Sequence, residues 1–467
     1  IFIALGVALF SFVLAACNAT VISNYGSCTP GMTQPCYDGP DGTQGVGSCA
    51  GGMQTCDSTG MWGTCAGQVL PAGERCSNKI DDNCNGMVDE IVDLDGDGFT
   101  NCDGDCCDSL ADGCSTPKLV NPGAFEVAGN RFDDDCDGTV DNTGAATCDS
   151  GLVSGSSDPL DFARAIELCQ TATLTDRKWG VIEAKFVKAD GTGAPDATQH
   201  AIRTAFGGTT VQSGASFAVL STGHAAAIGQ TDPSFASFQT GVSFKSSSGF
   251  PADWLQANKN TLPNAPNCPA INPRTTANDP IMLQLKIRVP TNAKGFRLST
   301  NFFSSEYPEY VCSPFNDFFV VLLDSTYAGT PANPADKNLA TYTAPNKQVF
   351  PVGVNLASGN TGLFRICDNS ATGCAPEAIA GNNNQCTGTA ELIGTGMDVI
   401  QTDSCTVKRK VGGGTGWLIT KGNVVSGEII TLRIAIWDTS DGFLDSVSLI
   451  DNFQWLLQAG EVGTIIG

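Results

Sequence analysis

The residues best suited to chemistry lie in Asp93-Leu-Asp95-Gly-Asp97-Gly-Phe99-Thr-Asn101-Cys-Asp103-Gly-Asp105. Oxygen-bearing side chains at alternate positions, separated by glycines that permit sharp bends, are what a hard cation such as Ca²⁺ requires. Read on the ligand spacing of an EF-hand loop, the ligands are Asp93, Asp95, Asp97, the carbonyl of Phe99, Asn101 and Gly104. Gly104 departs from that spacing because it brings no bidentate carboxylate. Asp103 or Asp105 is left to supply the missing oxygen. No helical pattern flanks the loop, so a helix–loop–helix is not expected.

Two copies of one short pattern flank the loop. The first is Asn78-Lys-Ile-Asp81-Asp82-Asn83-Cys84-Asn85-Gly86-Met-Val88-Asp89, and the second, 52 residues on, is Asn130-Arg-Phe-Asp133-Asp134-Asp135-Cys136-Asp137-Gly138-Thr-Val140-Asp141. From Glu74 to Asp141 there are 18 Asp and Glu against 4 Lys and Arg, so this segment carries −14 of the chain's −23. So much carboxylate packs only with cations between. At millimolar calcium and a Kd of about 0.1 mM, each site would stabilise the fold by about 1.4 kcal/mol. The expectation is a calcium-rigidified spacer. Copper and other soft metals are disfavoured, because free thiolate and imidazole ligands are scarce.

A second polar group sits beside strongly apolar runs further on: Glu306, Asn316, Asp317, Asp438, Asp441, Asp445, Asp451 and Asn452. Two readings stand open. One is a second cation site or a sugar-binding edge. The other is turn chemistry, since Asp and Asn close turns by bonding to their own backbone. Tyr307, Tyr310, Phe315, Phe318 and Phe319 either stack on a sugar or alternate into a core.

Hydrolytic enzymes of the common kinds are not indicated. The chain has two histidines, His200 and His224, with no G-x-S-x-G elbow and no H-E-x-x-H. A carboxylate pair such as Glu306 and Glu309 leaves glycosidase chemistry as an alternative. Nucleic acid is not expected as a partner at a net charge of −23 without a basic patch.

The elements that must position these residues are mostly strands. A composition with 54 Gly and 16 % charged residues suits a loop-rich exported β protein. One helix is expected after Asp158, with Pro159 at its first position and Phe162, Ala165, Ile166 and Cys169 on one face. Strands are expected at Trp179–Val187, Ser216–Leu220, Ile281–Val289, Gly295–Phe303, Asp317–Leu323, Gln348–Val354, Gly416–Lys421, Glu428–Trp437 and Ser446–Trp455. The fold class is mainly β: a C-terminal β-sandwich or jelly roll preceded by small disulfide-rich, loop-rich calcium-binding repeats. The expected domains are an apolar leader at 1–17, a Cys-rich module at 18–75, acidic repeats at 76–147 and the sandwich at 148–460. Of the 21 Cys, setting aside Cys17 leaves 20, which divide at residue 147 into 12 and 8. Even numbers on each side imply a disulfide framework and export.

Three resemblances add to this. Leu14-Ala15-Ala16-Cys17, closing an apolar run, resembles a bacterial lipobox. It implies a lipid on Cys17 and attachment to a membrane, and Asn18 after it points to the outer membrane. Cys76–Asp141, with Pro122-Gly-Ala-Phe-Glu126 inside it, resembles the metal-binding repeat of MopE-type surface proteins. That likeness implies Asp81, Asp82, Asp89, Asp93, Asp95, Asp97, Asp105, Asp133, Asp134, Asp135, Asp137 and Asp141 as cation ligands. The chain departs from the pattern at Ala128, where the family has Cys, and at Cys107, where it has Asp, and re-pairing of a disulfide would offset the two. Residues 148–457 resemble the choice-of-anchor L family through Lys178–Ala184, Leu220–Gly223, Phe302–Cys312, Phe315–Phe319 and Ile436–Ser446, running on to Leu449–Phe453. Together these point to a calcium-binding surface lipoprotein with a structural or adhesive role, whose partner is a surface glycan or protein. The alternatives are a secreted carbohydrate-binding or glycoside-hydrolysing protein, and a self-associating surface filament or coat.

Overall fold

The computed structural model describes residues 28–142, 148–266, 268–269, 276–368, 385–400 and 410–467. The apolar leader, the lipobox with Cys17 and the first residues of the Cys-rich module lie outside the described residues. The chain divides into two compact units. One runs up to Val92 and includes Thr100–Cys102; the other comprises Asp93–Phe99 and Asp103–Gly467. Composition suggests boundaries at 75/76 and 147/148, whereas the packing of the chain divides the acidic segment itself.

The first unit holds a short antiparallel hairpin, β1 (Thr33–Cys36) with β2 (Gly52–Thr55). Among its described residues the buried apolar side chains are Cys49, Cys56 and Cys84, so cross-links replace a core there. The bonds are Cys28–Cys56, Cys36–Cys65, Cys49–Cys84 and Cys76–Cys102. Cys49–Cys84 is the physical reason that the first acidic repeat belongs with the Cys-rich module.

In the second unit the expected helix is present as α1 (Pro159–Arg164), capped by the Asp158 carboxylate, which accepts the Leu160 N–H at 2.9 Å. It is shorter than its apolar spacing suggests, because Glu167 takes φ 67° and turns the chain away. The sandwich is built from β3 (Gly180–Val187), β4 (His200–Arg203), β5 (Phe217–Ser221), β6 (Ala277–Arg288), β7 (Gly295–Ser304), β8 (Phe318–Asp324), β9 (Leu418–Asn423), β10 (Ile429–Thr439), β11 (Ser446–Leu456) and β12 (Gly463–Ile466). One sheet has the order β12-β9-β7-β11-β5-β4 and the other β8-β10-β6-β3, with every pairing antiparallel. From β6 to β11 the chain changes sheet at each step.

Between the sheets, Leu283, Leu285, Ile287, Val321, Leu323, Leu432 and Ile434 meet Phe296, Leu298, Phe302 and Ile450. The outer faces are covered too. Helix α2 (Ala252–Ala257) lays Trp254 on Phe318, Val320, Leu322 and Trp437. On the other side Phe206, Phe238 and Met397 cover Phe217, Phe303 and Leu449. Burial on both faces explains why β8 reads as a continuous apolar run. Phe318 points outward to Trp254 and Phe319 inward to the core, so this part of the aromatic group is core packing.

Within the second unit, its share of the acidic segment is docked onto the sandwich. Thr291 donates to Asn121 at 2.7 Å, Asn292 exchanges two bonds with the Phe125 backbone, and Arg177 pairs with Asp103 at 2.9 Å. That part is therefore not a free spacer. Nine disulfides join described cysteines, and none crosses residue 147. Cys107 pairs with Cys114, closing a local loop rather than replacing the bond missing at Ala128.

Candidate metal centres

The two repeat copies fold by the same local rules. Asp81 accepts the N–H groups of Asn85 and Gly86, and Asp133 those of Asp137 and Gly138. Asp82 accepts from Asn78 and Asp134 from Asn130. Asp89 accepts the N–H groups of Asn78 and Lys79, and Asp141 those of Gly129 and Arg131. Asp137 accepts from Thr139 and Asn142. Many carboxylates of the repeats thus close turns. Each copy is centred on a glutamate that lies outside the aspartate pattern. Glu74 accepts the N–H groups of Asp82, Asn83 and Asp89, and Glu126 that of Asp134.

Among the described residues, three groups of carboxylates bring oxygens within 4.8 Å of one another: Asp93, Asp95 and Asp108; Asp95, Asp97 and Asp105; and Glu126, Asp133 and Asp135. The Asp93 loop is drawn in on itself by its own backbone. Asp93 accepts from Gly96 and Gly98, Asp95 from Asp97, and Asp97 from Phe99. Gly96 and Gly98 sit at φ 73° and 95°, a region open to glycine at little cost. Phe99 is buried beneath the Arg177 guanidinium, 4.1 Å from its ring centre.

Asp105 and Asp108 bring carboxylate oxygens into these groups, where Gly104 has none to bring. Asp103 instead pairs with Arg177. Asn101 is also committed elsewhere: its side-chain carbonyl accepts the Val92 N–H at 3.1 Å and its amide donates to the Glu90 carbonyl at 3.0 Å. It does not join the converging group.

Each group leaves an oxygen without a protein partner. Asp95 Oδ2, Asp105 Oδ2 and Glu126 Oε1 are buried and accept no hydrogen bond. Loss of water and then neighbouring carboxylates push Asp105 up to about 7 and Asp135 up to about 6. Asp95, Asp97, Glu126 and Asp134 are raised for the same leading reason. An all-oxygen donor set, short of positive charge and with unused buried lone pairs, fits a hard cation. Every described cysteine is in a disulfide, so no described thiolate competes as a ligand.

The second polar group is divided by the fold. Glu306, Asp317, Asp438 and Asp445 come together at one end of the sandwich, all buried. Glu306 follows β7, Asp317 precedes β8, Asp438 lies at the end of β10 and Asp445 precedes β11. A β-bulge between Ile436 and Asp438 re-aims the end of β10. The Ser446 hydroxyl donates to Asp317 at 2.6 Å, linking the two sheets. Burial pushes Asp317 up to about 8, and burial, then the neighbouring carboxylates, raises Glu306, Asp438 and Asp445 well above the usual carboxylate range. Asp441 adds to the repulsion on Glu306 and Asp317. Asn316 is occupied by the Asn355 N–H at 2.8 Å. Asp451 belongs to another group, with Asp149 and Glu167, packed around Gln212–Ser216. Asn452 donates its N–H to Asp451 and accepts from Gln454.

Glu74, Glu126 and Asp108 stand outside the ligand set read from the sequence, although Glu126 closes the Pro122–Glu126 motif and the 52-residue offset pairs it with Glu74. Asp149 and Glu167 carry no local signal at all. His200 is buried between Phe162 and Phe186, and burial pulls it down to about 4, which suits a neutral core residue.

The "Choice-of-anchor L domain" family model matches residues 210–452, more than half of the chain. The "Putative metal-binding motif" model matches residues 71–90 and 118–142, which hold Glu74 and Glu126 with their repeats. Neither the curated proteins nor the solved structures contain a significant match. Among the described residues no helix is long and apolar enough to cross a membrane. The disulfides, the sandwich and the two matched families describe a cell-surface protein with a metal-binding motif, and the chain belongs to the choice-of-anchor L domain family.

Proposed function

We propose that the metal is calcium and that the protein is a surface lipoprotein with a structural or adhesive role, tethered through a lipid on Cys17. The observation that carries the calcium reading is the convergence of Asp93, Asp95, Asp97, Asp105 and Asp108. Their oxygens form a hard donor set that includes no imidazole and no described thiolate, which favours Ca²⁺ over copper. Calcium held there orders the loop docked on the sandwich beside Arg177. Isothermal titration of the full chain, stripped with chelator, tests the reading. Uptake of Ca²⁺ at submillimolar affinity supports it. Uptake of Cu²⁺ alone, with no calcium heat, refutes it. Release from membranes on Cys17→Ala tests the anchor.

A second reading, carbohydrate binding, has one observation in its favour. Glu126 and Asp135 line a cleft of about 880 Å³ whose walls also carry Phe125, Trp179, Phe453 and Trp455. Aromatic faces beside cation ligands suit a sugar, and a glycan array probed with and without calcium decides it. No calcium-dependent signal would reject this reading.

A further inference from the structure

We propose that Glu306, Asp317, Asp438 and Asp445 hold a divalent cation at one end of the sandwich, separate from the sites of the acidic repeats. The four side chains come from both sheets: Glu306 and Asp445 flank β7 and β11, and Asp317 and Asp438 stand at the ends of β8 and β10. All four are at least nine-tenths buried, with exposures of 2 %, 1 %, 0 % and 2 % for Glu306, Asp445, Asp317 and Asp438. No lysine, arginine or histidine forms a salt bridge with them among the described residues.

The orphaned atoms point to a ligand. Oε2 of Glu306 and Oδ1 of Asp445 are buried without a hydrogen-bond partner, and the buried carboxyl of Asp438 has only Thr222 and Asp317 close beside it. The charges that act on Asp438 are those of Asp317, Asp445 and Glu306, so the four carboxyls are neighbours. Thr222 lies beside Asp438, and its hydroxyl is already engaged with Ser446, accepting the N–H at 2.9 Å and donating to the carbonyl at 3.5 Å. Gly223 leaves room for the Asp445 carboxylate; a Cβ there would stand 2.1 Å from Oδ2. The group is more widely spaced than the three in the acidic segment, so a cation held there would have to draw the four carboxylates inward. Buried carboxylates persist when protonated, paired or coordinating a metal; with no described basic residue in a salt bridge to them, a divalent cation is what would let these four ionise together. Oxygen-only donors select a hard divalent ion. Such an ion would pin together the ends of β7, β8, β10 and β11, closing the sandwich at that end.

The test counts calcium ions bound per full-length chain by equilibrium dialysis after chelator stripping. Three proteins are compared with wild type: Asp438→Asn, Glu306→Gln and the repeat variant Asp95→Asn/Asp135→Asn. The expected result is one ion fewer for Asp438→Asn and for Glu306→Gln, with that ion retained in the repeat variant. Asp438→Asn is also expected to melt higher than wild type in chelator, since it relieves repulsion, and to gain less on adding calcium. An unchanged ion count in both cluster variants overturns the proposal. Failure of Asp438→Asn to fold in chelator overturns it as well, because removing a charge relieves a cluster that lacks its ion. Loss of the repeat sites is read separately, from the Asp95→Asn/Asp135→Asn protein.

Discussion

Glu74 and Glu126 hold the same place in the two copies of the acidic repeat. Oε2 of Glu74 accepts the Asp82 N–H at 3.0 Å, and Oε2 of Glu126 accepts the Asp134 N–H at 2.9 Å. The two glutamates are 52 residues apart, the offset of the repeat itself. In the second copy the other oxygen, Oε1, is buried and unpartnered, and Glu126 belongs to the group with Asp133 and Asp135. One side chain therefore serves both the turn and the candidate metal site.

Glu126→Ala removes both services. The freed Asp134 N–H alone is expected to cost about 1–3 kcal/mol. The loss of stability should be larger in millimolar calcium than in chelator. Thermal melts of the variant and wild type under both conditions measure it, and equal losses in the two would show that Glu126 is purely structural.

Asp95 is shared by two of the converging groups. Asp95→Asn is expected to weaken calcium binding by at least tenfold, or about 1.4 kcal/mol, across both. Asp133→Asn should affect the third group alone. Calcium titrations of the two variants distinguish these outcomes.

Stability without divalent ions should rise as the pH is lowered from about 8 to about 6.5. Asp317 and Glu167 titrate in the folded chain at about 8, Asp105 at about 7 and Asp135 at about 6. All lie above their unfolded values, so the folded chain holds more protons and loses stability as the pH rises through this window. Below about 6.5 His200 acts in the opposite sense, because its folded value near 4 makes unfolding take up a proton. Calorimetry in chelator should record the rise, and millimolar calcium should flatten it.

Reduction should act on the two units unequally. The described residues of the first hold four disulfides and almost no apolar core, and each bond is worth about 2–4 kcal/mol. Mild reductant followed by limited proteolysis is expected to degrade the chain before Val92 and leave a fragment containing the sandwich. Simultaneous loss of both would contradict this.

Trp254 is fully buried on the outer face of β8 and β10, against Phe318 and Trp437. Trp254→Ala is expected to destabilise the sandwich by about 3–5 kcal/mol, measured by denaturant unfolding.

Much of this protein was legible from local patterns. The oxygen-donor loop at Asp93, the even division of cysteines at 147, the Asp158 cap and the expected strands are present, with Gln348–Val354 reduced to Val349–Pro351 outside the two large sheets and other element ends shifted by a few residues. The loop and the cap rest on residues at most 15 apart, the strands on apolar patterning along one segment and the cysteine division on a count, all of which a sequence displays directly. Only the tertiary structure decided that Asp103 pairs with Arg177, that Asn101 turns to Glu90 and Val92, and that Asp451 joins Asp149 and Glu167 rather than Asp445. It likewise decided that Glu306, Asp317, Asp438 and Asp445 share one end of the sandwich. Which strand ends meet depends on strand order, and strand order is set by burying the inner and outer faces of both sheets together, a condition on the whole chain that no short segment records.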